Sequence, residues 1–386
     1  MIQGLILAAA LTVSADCDLE RPSGAPGCTR EAVDALKINA LQAVGTHNSY
    51  KLAIAPPELA LVRAASPRTA DGLDYSHRPL AEQLDDGARQ LEIDILNDPE
   101  GGRYADPALH RMVKDAPPYD FSPLKAPGMK VMHVQDVDYR SSCPRFTDCL
   151  RQIADWSKAH PDHLPILVLL NLKEGGLKVP GAAEAAVFDA AAMDAVDGEI
   201  RSVFAERDLI TPGGVQGRRH SLREAVAAGA WPTLKAARGK VMFALDAPPQ
   251  QVAVYRGQRR SLEGRVMFVN IDETSPAAGY ITLNEPLAQS ARIAAAVKAG
   301  IIVRTRADAD TLEARSGDLA RREAAFASGA QYVSTDYLSP DVRFGDYRAE
   351  LPGGGVARRN PVRQGRVWPR SEFARGARLD TAAGRR

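Results

Sequence analysis

Eight short apolar runs recur along this chain, and they limit its possible folds more than any other feature. Loop or helix signals follow each run, and the segments between them are amphipathic and rich in alanine. Regular alternation of strand and helix predicts a parallel sheet. The eight predicted strands are residues 40–45, 89–96, 129–134, 166–172, 240–245, 265–271, 300–304 and 331–334.

Eight strands with no second change of composition predict one domain of the α/β class, a TIM-like (β/α)8 barrel, which we assign to residues 16–350. The chain has 386 residues, 45% apolar and 25% charged, which excludes a disordered or fibrous protein. A doubly wound open sheet is the alternative, but no G-x-G-x-x-G or P-loop motif follows the first strand. The long loops 51–79 and 97–128 follow the first two strands, so we expect them to shape a pocket.

The two ends of the chain differ from the rest. Residues 2–13 are mostly apolar and lead to Val13-Ser14-Ala15, a small-residue pattern that predicts a signal peptide over residues 1–15 and a secreted or periplasmic protein. No Lys or Arg precedes this run, so a buried N-terminal helix and a misassigned start codon are the alternatives. Residues 351–386 are predicted to form a tail with nine arginines between 358 and 386.

The four cysteines form two close pairs, Cys17 with Cys28 and Cys143 with Cys149. An even count at short spacing predicts two local disulfides and an oxidising compartment. Zinc is the alternative, but neither pair has C-x-x-C spacing and no histidine adjoins either pair. The cysteines therefore agree with export.

The charge balance excludes several kinds of partner. Lys plus Arg is 49 and Asp plus Glu is 48, a net charge of +1, which argues against broad binding to nucleic acid. No segment after the N-terminus is apolar for 18 residues, so we expect no transmembrane segment. We expect a monomer.

Polar residues gather where the predicted strands end. The first strand is followed by His47 and Asn48, and in the second strand period-two alternation turns Glu92 and Asp94 to the side opposite their apolar neighbours. With the apolar set under helices, both carboxylates face into the barrel. Paired carboxylates of this kind suit Ca²⁺ or Mg²⁺. The same alternation turns His133 of the third strand inward.

Later strands add an amide and several cations. The fourth strand turns Asn171 and Lys173 inward, and the seventh ends at Arg304 and Arg306. Strand eight ends at Asp336. Two histidines, an acidic metal site and nearby cations suit phosphoryl chemistry, in which a base activates a hydroxyl, an acid protonates the leaving oxygen and cations hold the phosphate.

These residues lie in blocks that resemble the phosphatidylinositol-specific phospholipase C superfamily, and within it the secreted, calcium-dependent bacterial type known from actinomycetes. The likeness extends over residues 38–360. The blocks are Gly45-Thr46-His47-Asn48-Ser49-Tyr50, Leu73-Asp74-Tyr75-Ser76-His77, Leu91-Glu92-Ile93-Asp94, Lys130-Val131-Met132-His133-Val134 with Asp136-Val137-Asp138-Tyr139-Arg140, Val303-Arg304-Thr305-Arg306-Ala307-Asp308 and Val333-Ser334-Thr335-Asp336-Tyr337.

The resemblance implies a barrel enzyme that cleaves phosphatidylinositol, at a membrane or micelle surface, into diacylglycerol and an inositol phosphate. In such enzymes the inositol 2-hydroxyl attacks phosphorus to give a cyclic phosphate, which water can open. Carried over by motif, His47 would assist the attacking hydroxyl and His133 would protonate the diacylglycerol oxygen. The implied Ca²⁺ ligands are Asn48, Glu92, Asp94 and, at a position where the family usually has Glu, Asn171.

The amide of Asn171 is a departure from the family pattern. An amide oxygen can bind calcium but brings no charge, so we expect weaker calcium affinity, with Glu174 as an alternative ligand. The side chains of Lys173, Arg304 and Arg306 are predicted to contact phosphate or inositol, with ion pairs inside the barrel as the alternative.

Three other functions stay open at this point. A glycerophosphodiester phosphodiesterase shares the barrel and the Glu-x-Asp strand, but that family usually opens with His-Arg-Gly rather than with His47-Asn48-Ser49. A metal-independent phospholipase C replaces the metal by an arginine and has no need of Glu92 and Asp94. The third alternative is a degenerate barrel that binds phosphoinositide or glycan head groups without turnover.

Overall fold

The computed structural model describes residue 14 and residues 16–363, and this part of the chain contains eleven strands. They are β1 (Leu41–Thr46), β2 (Gln90–Leu96), β3 (Lys130–Val131), β4 (Ile166–Lys173), β5 (Leu209–Ile210), β6 (Val241–Leu245), β7 (Phe268–Val269), β8 (Tyr280–Thr282), β9 (Ile302–Arg306), β10 (Tyr332–Thr335) and β11 (Ala357–Arg359).

Fourteen α-helices connect or cover these strands in the described residues. They are α1 (Arg30–Asp34), α2 (Pro56–Ala65), α3 (Pro67–Leu73), α4 (Leu80–Asp85), α5 (Ala108–Met112), α6 (Phe146–Ala159), α7 (Ala190–Val203), α8 (Pro212–Gln216), α9 (Leu222–Ala227), α10 (Leu234–Ala237), α11 (Pro249–Arg256), α12 (Pro286–Lys298), α13 (Leu312–Ser316) and α14 (Ala320–Ser328). Short 3-10 helices cover Ile38–Ala40, Ser122–Lys125 and Glu206–Asp208.

The predicted barrel fold is confirmed. Eight strands, β1, β2, β4, β6, β7, β8, β9 and β10, run parallel, each paired with the next, and β10 pairs with β1. The seam between β7 and β8 is narrow, since it consists of one parallel bridge from Asn270 to Tyr280. All eight C-terminal ends therefore open on one face, which we call the mouth.

The third predicted strand is not part of the barrel, and one barrel strand was not predicted. The run 129–134 contributes only β3, which pairs antiparallel with the end of β2 through Ile95 and Val131. The eighth barrel strand is instead β8, with three residues. A strand of three residues is too short to show the period-two alternation of a strand. An apolar run has the same local sequence pattern whether it forms a barrel strand or pairs outside the barrel. His133 therefore lies in a loop over the mouth rather than on a barrel strand.

The folded region extends into the segment predicted as a tail. Strand β11 pairs antiparallel with residues 41–43 of β1. Strand β2 meets β1 only at Gly45, so β11 covers an edge of β1 that would otherwise be open. Residues 364–386, and all of the predicted signal peptide except Ser14, lie outside the described residues.

Both predicted disulfides are present, Cys17–Cys28 and Cys143–Cys149. The apolar core lies between the barrel strands and the surrounding helices, where α6 buries Leu150 and Ile153 completely. Each large apolar side chain buried in this way contributes roughly 1.5–3 kcal/mol. Among the described residues, none of the helices has the length and apolar character needed to cross a membrane.

Candidate active site

The first barrel strand ends in a turn that is fastened to the second. A side chain at Gly45 would clash with Gln90 of β2, so glycine is required for the two strands to approach. After β1 the chain passes through Asn48 with a left-handed φ of 49°, a conformation that Asn tolerates. The Ser49 N–H donates to the Glu92 carbonyl at 2.9 Å, and the Glu92 N–H donates to Ser49 Oγ at 2.8 Å. These bonds hold His47 above β2.

Charged groups surround the His47 ring. Its Nδ1 lies 2.7 Å from Asp336 Oδ1 and 3.3 Å from the Tyr75 hydroxyl, and Arg306 lies 3.4 Å from Nε2. Burial lowers the pKa of His47 well below its ordinary value and the charge of Arg306 lowers it further, while Glu92 opposes the shift. The ring is therefore neutral near pH 7, with Nδ1–H donating to Asp336 and a lone pair on Nε2.

A second carboxylate orients His133. The His133 Nδ1 lies 2.8 Å from Asp138 Oδ2, and the buried Lys51 ammonium lies 3.3 Å from the same oxygen. Burial raises the pKa of Asp138, but Lys51 and His133 outweigh it and hold that pKa below its ordinary value. The carboxylate is ionised, and His133 Nε2 has no hydrogen-bond partner within the described residues.

The two imidazoles face each other at the mouth. Their ring centroids are 6.5 Å apart and the ring planes are nearly perpendicular, at 79°. Both rings line an open cleft of about 410 Å³, whose wall on one side is α3. The other side chains around the cleft include Arg68, Thr69, Leu73, Tyr75, Arg306, Asp310 and Asp336.

Glu92 and Asp94 are both buried on β2. Glu92 meets Arg304 of β9, a strand that is not a neighbour of β2, so this side of β2 faces into the barrel as the alternation predicted. Arg304 forms an ion pair with Glu92, and Asn171 Nδ2 donates to Glu92 Oε1 at 2.5 Å. The Lys173 ammonium lies 2.8 Å from Asp94 Oδ2. Burial raises the pKa of Asp94, but the charge of Lys173 outweighs it and the pKa lies below its ordinary value. Cations of the chain itself therefore stabilise both carboxylates.

The oxygen atoms around this pair suit a calcium ion. Asn48 Oδ1 and Asp94 Oδ1 are buried and accept no hydrogen bond from the described residues. Hard oxygen atoms are the ligands that calcium prefers. Within the described residues, no three His, Cys, Asp or Glu side chains cluster closely enough to hold a metal by themselves. A calcium ion here would have the amide oxygens of Asn48 and Asn171 available as ligands in addition to Glu92 and Asp94.

The alternative ligand Glu174 turns away from this position. Its Oε1 accepts a hydrogen bond from the Phe188 N–H at 2.5 Å, which holds together the loop after β4. The three predicted phosphate-binding cations all form ion pairs, as the alternative anticipated, and of the three only Arg306 lines the cleft. The pairs are Lys173–Asp94, Arg304–Glu92 and Arg306–Asp336.

The prediction from sequence left out the carboxylates behind the two histidines. Asp336 was recognised as the end of a strand but not as the partner of His47, although its place beside the first strand in a closed barrel was a usable signal. Asp138 lies five residues from His133, and the turn between them brings it back to the ring. Asp136, two residues before Asp138, has a φ of 68° and accepts hydrogen bonds from the N–H groups of Ala108 and Ala183. It therefore holds two loops together.

Three further polar side chains at the mouth were not predicted from the sequence. Asp246, Asn270 and Asn284 follow β6, β7 and β8, and we call them the polar arc. Asn270 donates to Asp246 Oδ1 at 2.7 Å, and Asn284 accepts from Arg304 at 2.7 Å. Burial raises the pKa of Asp246, while Arg304 opposes the shift. One carboxyl and two amide groups can accept and donate hydrogen bonds, which is what binding of the hydroxyls of a polyol requires.

The chain matches the family model described as phosphoinositide phospholipase C, Ca²⁺-dependent, over residues 36–361. It is similar to the solved calcium-dependent phosphoinositol-specific phospholipase C of a Gram-negative bacterium, Pseudomonas sp., in an apo form, with a TM-score of 0.52 and 17% identity over 84% of this chain and 95% of that chain. A myoinositol complex from Pseudomonas sp. has a TM-score of 0.52 and 17% identity over 84% of this chain and 96% of that chain. A comparison with curated proteins found no match. The structural likeness establishes the fold, and the family match covers well over half of the chain.

Proposed function

The chain belongs to the Ca²⁺-dependent phosphoinositide phospholipase C family, and from this membership we propose that it cleaves phosphatidylinositol between glycerol and phosphate. The family is one of phosphoric diester hydrolases. The products would be diacylglycerol and an inositol phosphate. The observation that carries the proposal is the facing pair His47 and His133, each held by a buried carboxylate, beside Glu92 and Asp94.

His47 is suited to be the base. Its neutral ring has a lone pair on Nε2 that can accept the proton of the attacking inositol 2-hydroxyl. Asp336 accepts the Nδ1 hydrogen, fixes the tautomer and stabilises the imidazolium that forms. Arg306 is held by Asp336 at 2.9 Å and lines the same cleft, so its charge is available to the phosphorane.

His133 is suited to be the acid. Asp138 orients the ring from Nδ1, which leaves Nε2 to deliver a proton to the diacylglycerol oxygen as its bond to phosphorus breaks. The attack by the 2-hydroxyl produces a cyclic inositol phosphate, and water can open this ring in a second step with the two histidines in exchanged roles.

Asn48, Glu92, Asp94 and Asn171 would hold the calcium ion on which the family depends. When bound there, calcium favours ionisation of the attacking hydroxyl and neutralises charge on the phosphate. The polar arc of Asp246, Asn270 and Asn284 is available for the hydroxyls of inositol. We also propose that the protein is exported, because two disulfides are typical of an oxidising compartment.

The experiment is diacylglycerol release from phosphatidylinositol vesicles across a calcium series that ends in chelator. Release that rises with calcium and stops in chelator is expected. Hydrolysis of glycerophosphodiesters without diacylglycerol release would favour the phosphodiesterase alternative. Binding of the inositol head group without turnover of either substrate would favour the non-catalytic barrel.

Variants connect the activity to the cleft. His47→Ala and His133→Ala should each lower kcat by roughly 10²–10⁴-fold. His220→Ala is the control, since this exposed histidine lies outside the cleft. Full activity in either cleft variant would remove the basis of the proposed mechanism.

A further inference from the structure

Each carboxylate of the proposed calcium site already has a cation of the chain as its partner. Arg304 pairs with Glu92, and Lys173 pairs with Asp94 at 2.8 Å. Both carboxylates are almost completely buried. Because two negative charges face two positive ones, the site has no net charge to attract a divalent ion.

The two cations are held very differently. Arg304 is 1% exposed and also donates to Asn284 at 2.7 Å and Ser334 at 2.9 Å, so its position is fixed. The Lys173 side chain is 31% exposed at the end of β4, and Asp94 is its one partner among the described residues. A lysine on a flexible four-carbon chain can leave its partner without disturbing the fold.

Asn171 weakens the site further. It lies opposite Asp94 in the register of β2 and β4, and its amide donates to Glu92. It therefore occupies a ligand position without adding charge. Calcium affinity in proteins depends on the number of charged ligands, and this site offers two carboxylates.

We propose that Lys173 is an internal competitor of calcium: its ammonium holds Asp94 in the calcium-free protein and has to leave before the metal binds. This inference rests on the proposed function, since it concerns the same site. The expected result is a protein that binds calcium weakly by itself.

The test is calcium binding to the purified protein by titration calorimetry, without substrate. Lys173→Met should bind calcium about tenfold more tightly than the natural protein, or more. Lys178→Met is the matched control, because this exposed lysine of the loop after β4 changes the net charge equally and should alter the affinity by less than about twofold.

A stability measurement keeps the test independent of activity. Lys173→Gln retains a hydrogen-bond donor for Asp94 and is a second variant if Lys173→Met does not fold. In chelator it should melt below the natural protein, since Asp94 loses its counter-ion, and saturating calcium should raise its melting temperature by more than that of the natural protein.

The outcomes separate the two ideas. Equal calcium affinity in the natural protein and both Lys173 variants would overturn the competition while leaving the phospholipase function intact. No calcium binding in any of them, with diacylglycerol release also absent, would overturn the proposed function together with the inference.

Discussion

At the scale of single residues, the mouth pairs each proposed catalytic imidazole with a buried carboxylate and a cation. His47 has Asp336 with Arg306, and His133 has Asp138 with Lys51. Arg306 lies 2.9 Å from Asp336 Oδ2, and Lys51 lies 3.3 Å from Asp138 Oδ2, so each carboxylate has a counter-ion as well as an imidazole. The carboxylate in turn fixes which ring nitrogen faces the cleft.

Replacing Asp336 by Asn should therefore impair catalysis more than folding. An amide cannot stabilise the imidazolium of His47, so kcat should fall roughly 10²–10⁴-fold in a calcium-saturated assay. Asp341→Asn is the control, since this carboxylate in the same connection pairs with Arg343 and does not touch His47. Unchanged kcat in a folded Asp336→Asn protein would show that His47 needs no orienting group.

At the scale of elements, the connection from α6 to β4 contains a buried histidine, His163. His163 is bonded through Nε2 to Ser157 at 2.7 Å and through Nδ1 to the Leu164 carbonyl at 2.6 Å. Burial lowers the pKa of His163 to about 4 and the charge of Arg89 adds to the shift, while the Leu164 carbonyl opposes it. The connection therefore depends on a neutral ring.

This lowered pKa predicts acid sensitivity. The unfolded state takes up a proton near pH 6.5 and the folded state only near pH 4, so the stabilisation is complete above about pH 6.5 and is lost as the pH falls towards 4. Between pH 7.5 and 4.5 the loss should be about 2–3 kcal/mol. Urea unfolding at both values should show a smaller difference for His163→Gln. His160→Gln, at the exposed C-terminal end of α6, should behave like the natural protein.

The two disulfides join elements with different relations to the cleft. Cys143–Cys149 lies beside β3, where Val131 donates to the Pro144 carbonyl at 2.9 Å, and β3 leads directly to His133. Cys17–Cys28 lies before α1, and the segment between its cysteines meets β11 beside the start of β1, where the Leu19 N–H donates to the Ala357 carbonyl at 2.8 Å. Of the two bridges, Cys143–Cys149 is therefore the one coupled to a proposed catalytic group.

Removing the bridges one at a time should separate stability from catalysis. Each pair of serine replacements should cost about 2–3 kcal/mol of unfolding free energy. Replacing both cysteines at 143 and 149 should also lower kcat about tenfold, while the replacements at 17 and 28 should leave kcat within about twofold. Equal kcat in the two variants would show that the Cys143–Cys149 bridge does not position His133.

At the scale of the whole molecule, the large apolar side chains that remain exposed all belong to segments that follow the C-terminal end of a barrel strand. In the described part of the chain they are Leu61, Met112, Val187, Val254, Leu287, Leu312 and Val342. Leu312 is 59% exposed and Val342 is 92% exposed. Leu312 comes two residues after Asp310, which lines the cleft, and Val342 precedes Arg343, which pairs with Asp74 next to the cleft residue Leu73. Exposed apolar groups near the cleft suit contact with a lipid surface.

Replacing Leu312 and Val342 by Ser together should weaken binding to phosphatidylinositol vesicles about tenfold, since less apolar surface enters the lipid. Co-sedimentation with vesicles measures the binding. Hydrolysis of a short-chain, monomeric phosphatidylinositol should be unchanged and is the control. Equal vesicle binding by the variant and the natural protein would locate the lipid contact elsewhere.

The sequence by itself determined the features that repeat locally. Alternation of apolar runs and amphipathic segments predicted the barrel, and period-two alternation predicted that Glu92 and Asp94 share one face, because both patterns express burial along a single element. The spacing of the cysteines predicted the two bridges. These features need only neighbouring residues, so a single sequence contains them.

Only the tertiary structure decided the features that arise when distant segments meet. It assigned the eighth barrel strand to β8 instead of β3, and it placed β11 on the open edge of β1. It brought Asp336 to His47 across 289 residues and Lys173 to Asp94. The physical reason is that burial selects which charges must be paired, while closure of the barrel selects the partners, and neither is expressed in local sequence.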